Sequence, residues 1–353
     1  MWEDDQVPLP CSRVRDASTF LCVLVMTPIL FACLASGQAS DDAHITPRPK
    51  APAATTHATV EVAADRGLRP LRPKPLRHDV DLVLVPVTVT DTYNRLVTGL
   101  EKKDFSLLES EKPQQIRYFS TEDGPISLGV ILDLSGSMKD KIDDARDAVV
   151  EFFENSNPED DYFVITFANR PQVLADSTRS IGYIRDQLAT TEPKGFTALL
   201  DAIYLGIDKM HHAKYGRRAL LVISDGGDNN SRFTENELKR VVQESDVEIY
   251  AIGIFSRVLG IFTPLEERNG RKLLKEVTGA TGGRLIELRS PKDLPQIARQ
   301  VSLELRNQYV LGYRPQNDAH DGQWRKIKVA LTDAGNRTGL RVYSKKGYLG
   351  PQE

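Results

Sequence analysis

Five oxygen-bearing side chains fall in three short strings of this sequence: Asp133, Ser135 and Ser137 in D-L-S-G-S, Thr197 in G-F-T-A-L, and Asp225 in I-S-D-G-G-D-N. Two carboxylates and three hydroxyls suit a hard cation, Mg²⁺ first and Mn²⁺ or Ca²⁺ as alternatives, and not a soft metal that prefers cysteine or histidine. Hydroxyls are neutral ligands, so such a set leaves the cation under-neutralised and able to accept a carboxylate from outside. A Glu or Asp of a partner protein is the ligand this chemistry anticipates. Each string alone is weak, because D-x-S-x-S also describes a strand-to-helix turn with a serine cap.

The elements needed to carry these groups are readable around them. From Ser127 the apolar run LGVILDL leads into a helix with Ile142, Ala145, Ala148, Val149, Phe152 and Phe153 on one face. Further strands are expected in YFVITFA from Tyr162, ALLVIS from Ala219, VEIYAIGI from Val247 and RLIEL from Arg284. Helices are expected over 181–189, 198–210, 235–244, 271–277 and 294–305. Strands alternating with helices predict a doubly wound, mostly parallel sheet covered on both faces. Ligands of such sheets bind beyond the carboxyl ends of the strands, and all five candidates fall there or in the loop that follows.

Together, in this order, the three strings resemble the metal-ion-dependent adhesion site of von Willebrand factor A domains, over about residues 125–306. The resemblance implies that Ser135, Ser137 and Thr197 are hydroxyl ligands and that Asp133 and Asp225 act directly or through water. It also implies a rim of Met138, Phe196 and Asp228 facing a partner. The flanks VLVPVTVTD, DFSLLES, QQIRYFS, LRNQYVLGYRP and KKGYLG resemble an exported, acidobacterial-type subgroup of these proteins. Other tempting residues have simpler readings. His211 and His212 end a helix, where histidine complements the dipole, and Asp140, Asp143 and Asp144 complement the start of another. Asp228, Asn229 and Asn230 read as a polar loop rather than a second ion site.

The flanks have β texture. Val83, Val85, Val87 and Val89 alternate in one strand, short strands are expected near 105–108 and 115–119, and three more in NQYVLGYRP, WRKIKVAL and LRVYSKKGYL. A few strands make little core alone, so the two flanks are expected to pair into a small β-sandwich-like unit into which the α/β domain is inserted. The divisions are 1–37 for an export signal, 38–78 for a Pro/Ala/Arg-rich linker, 79–122 for an N-terminal β unit, 123–306 for the α/β domain and 307–353 for a C-terminal β unit.

The address comes from the first segment. TFLCVLVMTPILFACLAS, residues 19–36, has no charge, follows Arg13 and Arg15, and precedes Asp41 and Asp42, the layout of an export signal. Three readings share it: a cleaved signal, a lipoprotein signal with Cys33 lipidated, and an uncleaved anchor that attaches the chain to a membrane. All three place the body in the periplasm, the cell envelope or the medium. The only three cysteines, Cys11, Cys22 and Cys33, lie in this region, so no disulfide staples the rest. With 46 basic against 49 acidic residues and a formal charge of -3, the chain has no global field for a polyanion, and nucleic acid is not an expected partner.

These readings favour a metal-dependent binding protein, adhesive or scaffolding, over an enzyme. A metal-assisted hydrolase subunit would need a general base, and no histidine lies near the three strings. A structural module of an envelope complex with a structural metal is the remaining alternative, and it would bind its partner without regard to the metal.

Overall fold

The computed structural model describes residues 82–255, 265–288, 290–317, 319–332 and 339–351. The expected export signal, the linker and Cys33 lie outside the described residues. Among the described residues no helix is long and apolar enough to cross a membrane.

A six-stranded sheet forms the centre, in the order β10-β9-β8-β5-β6-β7. Its members are β5 (Ser127–Asp133), β6 (Asp161–Phe167), β7 (Pro171–Thr178), β8 (Arg218–Ser224), β9 (Glu248–Gly253) and β10 (Leu285–Glu287). All pairs are parallel except β6 with β7. Every residue of β5 is buried, as a strand with neighbours on both edges and helices on both faces requires. One face packs on α1 (Ile142–Glu154), α2 (Ile181–Ala189) and α6 (Leu294–Arg306), through Val130 and Leu132 against Ala145, Val149, Ile184, Ala298 and Val301. The other packs on α3 (Leu199–His211), α4 (Glu235–Glu244) and α5 (Leu265–Thr281), through Ile131, Ile165 and Val222 against Ile203, Leu238 and Leu274. The expected α/β class, a mostly parallel sheet with antiparallel strands beside it, is the observed one.

The flanking segments form two antiparallel four-stranded sheets, β13-β1-β11-β4 and β14-β12-β2-β3. Here β1 is Val83–Thr90, β2 Phe105–Glu109, β3 Lys112–Gln114, β4 Ile116–Ser120, β11 Tyr309–Tyr313, β12 Trp324–Leu331, β13 Arg341–Ser344 and β14 Gly347–Leu349. Early and late strands are neighbours in both sheets, β1 with β11 and β2 with β12. One core serves both: Val85, Val87 and Val89 meet Phe105, Leu107, Tyr309, Leu311, Ile327 and Val329.

Three expectations need correction. LRVYSKKGYL is two strands, not one. At Lys345 and Lys346 the chain leaves one sheet for the other, and Lys346 N donates to Ala280 O on the way (3.0 Å). The helix expected over 271–277 runs over Leu265–Thr281, because polar residues fill its exposed face and conceal its length. The edge strand β7 was not anticipated; all but one of its residues are at least partly exposed and half are polar, so no long apolar run marks it.

Candidate metal centre

The first string turns sharply at the end of β5. Ser135 is extended (φ -66°, ψ 164°) and a single 3-10 turn, Gly136–Met138, follows. Asp133 is buried, and both its oxygens are held by neutral donors: Ser135 N gives to Oδ1 (2.8 Å) and Ser224 Oγ, at the end of β8, gives to Oδ2 (2.6 Å). The Ser135 and Ser137 hydroxyls lie 3.1 Å apart, Ser135 buried and Ser137 exposed.

Thr197 is brought to this turn by its backbone. Gly136 N donates to Gly195 O (3.1 Å), and Lys194 N to Leu134 O (2.8 Å). Gly195 has φ +89°, and a Cβ there would lie 2.6 Å from Asn169 Oδ1, so both conformation and space call for glycine. Asn169 in turn accepts from Phe196 N (2.7 Å) through that same oxygen. On the other side Asn229 N and Asn230 N donate to Thr197 O (3.0 and 3.1 Å), while Asn229 Oδ1 accepts from Thr197 N (2.9 Å). Among the described residues the Thr197 hydroxyl has no hydrogen-bond partner.

Asp225 follows β8 and is mostly buried, its side chain 13% exposed. The next residue, Gly226, is met by α5 at Gly270, where any Cβ would collide with the Gly226 carbonyl. That contact fixes the course of the Asp225 loop. One oxygen of Asp225 accepts from Lys141 Nζ at 3.0 Å. The Asp133 carboxyl is pushed up to about 6, first by burial and second by the neighbouring Asp225 carboxylate. A buried carboxyl with a second carboxylate near it is an arrangement a cation relieves.

The three segments therefore converge through their backbones, and the donor types they carry fit a hard cation: a buried carboxylate, a second one coupled to it, two buried hydroxyls and the exposed Ser137 hydroxyl. Among the described residues no three His, Cys, Asp or Glu side chains group together, so a cation held here depends on the hydroxyls.

Of the expected rim, Phe196 is 63% exposed beside Thr197. Met138 is not on the rim: it is 0% exposed and packed with Leu134, Ile142 and their neighbours, because the 3-10 turn points it inward immediately after Ser137. Asp228 is half-buried, and its Oδ1 accepts from Leu199 N (2.8 Å) and Ser231 Oγ (2.6 Å), so it caps α3 rather than facing a partner. Asn229 and Asn230 are engaged with the Thr197 loop. Asn169 and Lys141 belong to the site and were not anticipated; a single asparagine in a hairpin loop and a lysine at a helix start carry no motif.

Residues 128–227 match the family model of the von Willebrand factor type A domain, so the chain carries such a domain over this segment. No curated protein matches the sequence. Among solved structures, the chain is similar to an aerotolerance-related membrane protein from Bacteroides fragilis, with 17% identity and a TM-score of 0.40 over 51% of this chain and 99% of that one. It is similar also to a von Willebrand factor type A protein from Catenulispora acidiphila, with 12% identity and a TM-score of 0.45 over 76% of this chain and 73% of the other. A pilus adhesin from Lactobacillus rhamnosus GG, in an open conformation, aligns at 8% identity and a TM-score of 0.42 over 74% of this chain and 48% of the adhesin.

Proposed function

We propose that this chain is an exported binding protein that holds one divalent cation, Mg²⁺ in the first place, at Asp133, Ser135, Ser137, Thr197 and Asp225. Bound there, the cation would supply an electrophilic position for an acidic side chain of a partner protein. The observation that carries this reading is the convergence of two carboxylates and three hydroxyls at the carboxyl edge of the sheet, with Asp133 buried, raised toward 6 and directly beside a second acid. Export is read from the uncharged segment 19–36, with cleavage, lipidation at Cys33 and membrane anchoring as its three forms.

We read the site as binding rather than catalytic. His211 and His212 lie at the far end of α3 from Thr197, and thirteen helical residues separate the two ends by roughly 18 Å. Asp133 and Asp225 are committed to the cation, and no histidine lies in the three strings to serve as a base. The exposed Phe196 next to Thr197 suits a macromolecular partner that covers the site from outside.

The test is thermal unfolding of the purified protein in chelator, Mg²⁺, Mn²⁺ and Ca²⁺. Metal at 100 times its Kd adds about 2.7 kcal/mol of stability. Asp133→Asn and Thr197→Ala are expected to abolish most of that gain. A wild-type melt that no metal moves would sink the reading.

A further inference from the structure

We propose that Lys141 is a tethered cation that holds Asp225 in the metal-free protein and must leave it when a divalent ion enters, so that the chain sets its own metal affinity through an internal competitor. The inference rests on the metal-binding reading above and adds to it a residue outside the five donors.

The contact is built into the fold. Lys141 Nζ lies 3.0 Å from Asp225 Oδ2, with the two side chains only 24% and 13% exposed. The lysine stands eight positions after Asp133, at the start of α1, and its backbone N donates to Met138 O (2.9 Å) while its carbonyl accepts from Ala145 N (3.0 Å). The same turn that carries Ser135 and Ser137 thus sets the origin of the lysine stem. Buried Met138 and Ile142 fix the backbone on either side.

The two carboxylates are held in different ways. Asp133 receives its hydrogen bonds from a backbone N–H and a serine hydroxyl. Those donors are neutral and can stay when a cation arrives. Among the described residues Asp225 is held through its side chain by the Lys141 ammonium alone. A divalent ion and an ammonium on one carboxylate repel each other strongly in a partly buried site, where screening by solvent is weak. The lysine has a flexible four-carbon stem and a strongly hydrated head. It can swing to solvent, while the metal cannot bind without the acid.

The alternative role is the opposite one. If Lys141 stayed on the outer oxygen of Asp225 and oriented it for the metal, removing the lysine would weaken metal binding. The experiment separates the two by calorimetric Mg²⁺ titration of the full protein as wild type, Lys141→Met and Lys141→Gln, with melts of each in chelator and in saturating Mg²⁺. The expected result is Mg²⁺ affinity higher in both variants by about tenfold, the factor that about 1.4 kcal/mol of removed competition gives. In chelator both variants melt below wild type, because the two acids lose their counter-charge, and in saturating Mg²⁺ the order narrows or reverses. Equal or weaker Mg²⁺ binding in both variants, with wild type binding normally, overturns the competitor role and leaves the metal site intact. Binding by the variants but not by wild type overturns the exchange as stated, since the lysine then never yields to the ion. No binding by any of the three overturns both readings together. Should Lys141→Met fail to fold, Lys141→Gln, which keeps a polar head toward Asp225, decides alone.

Discussion

At the amino end of the central sheet Glu248 is buried and both its oxygens accept from Gln308 Nε2, at 2.8 and 2.9 Å, while Gln308 Oε1 accepts from Arg217 (3.2 Å). Arg217 also gives to the carbonyls of Gly124 and Leu305, and nearby Arg284 and Glu304 form a buried bidentate pair. At the carboxyl end the Asp133 carboxyl feels the charge of Asp225, which accepts from Lys141 Nζ. Both ends bury acids, but one end supplies each acid with fixed side-chain partners from the strands and helix that join the β-sandwich, and the other holds Asp225 by one lysine and leaves the Thr197 hydroxyl without a partner among the described residues. A buried polar group with a complete set of partners is part of the scaffold; a convergent set of open oxygens invites a ligand. The difference also predicts that the two ends respond to different perturbations.

The largest effect is expected at the amino end. Arg284→Met leaves the Glu304 carboxylate buried without its partner, and breaking such a pair costs about 3–5 kcal/mol. Denaturant unfolding with and without Mg²⁺ checks it, and the loss is expected to be the same in both. The paired change of Arg284 to Met with Glu304 to Leu should recover most of the loss, since neither charge then remains buried. If the single variant lost stability only in the presence of metal, the separation between the two ends would be wrong.

The converse holds at the carboxyl end. Asp133→Asn is expected to lose the roughly 2.7 kcal/mol that saturating metal provides and little or nothing in chelator. In chelator the amide relieves repulsion against Asp225 and still accepts one of the two hydrogen bonds. A large loss in chelator would make Asp133 a scaffold residue of the same kind as Glu304.

A third prediction concerns pH. Burial raises the Glu248 carboxyl from its ordinary 4.5 to about 7, against the lowering effect of Gln308 and Arg217. The folded chain therefore keeps a proton there that the unfolded chain releases. The associated stability is fully present below about pH 4.5 and is lost as pH rises through 7, with a slope of at most about 1.4 kcal/mol per pH unit. Glu248→Gln removes this titration. Unfolding of wild type and variant across pH 5 to 8 should show their difference moving in favour of the variant as pH rises, and parallel curves would refute the assignment.

The elements that frame the carboxyl end were readable from the sequence because they are apolar runs. LGVILDL and ALLVIS are buried throughout and carry the two acids at their ends. What holds the site together was not readable, since it is bonding to backbone across distant segments. Gly195 acts through its main-chain carbonyl, and Asn169 and Asn229 act through side-chain oxygens that accept from main-chain N–H groups tens of residues away, and no local pattern announces such a bond. Met138 misled for a related reason: it follows two surface serines, and only the 3-10 turn after them sends it into the core. The amino end was less legible still, because Glu248, Arg217 and Gln308 are single polar residues in separate elements whose pairing exists only once the β-sandwich is docked.

The smallest effect on stability is expected at Phe196, and it tests whether the open end is for binding. The ring is 63% exposed while its backbone N is fixed on Asn169, so the fold gains little from the side chain and yet holds it in one place. Phe196→Ala should melt within about 0.5 kcal/mol of wild type, as surface changes do, and should keep the full metal-induced shift, because the Thr197 hydroxyl and its main-chain bonds are untouched. An exposed aromatic beside the proposed metal site would have its use in a covered interface, where aromatic anchors dominate the energy. The variant should therefore reduce chelator-sensitive retention of an envelope partner while leaving metal binding as it was. Loss of the metal shift itself would instead make Phe196 a support for Thr197, and the open end would then share more of its construction with the closed one.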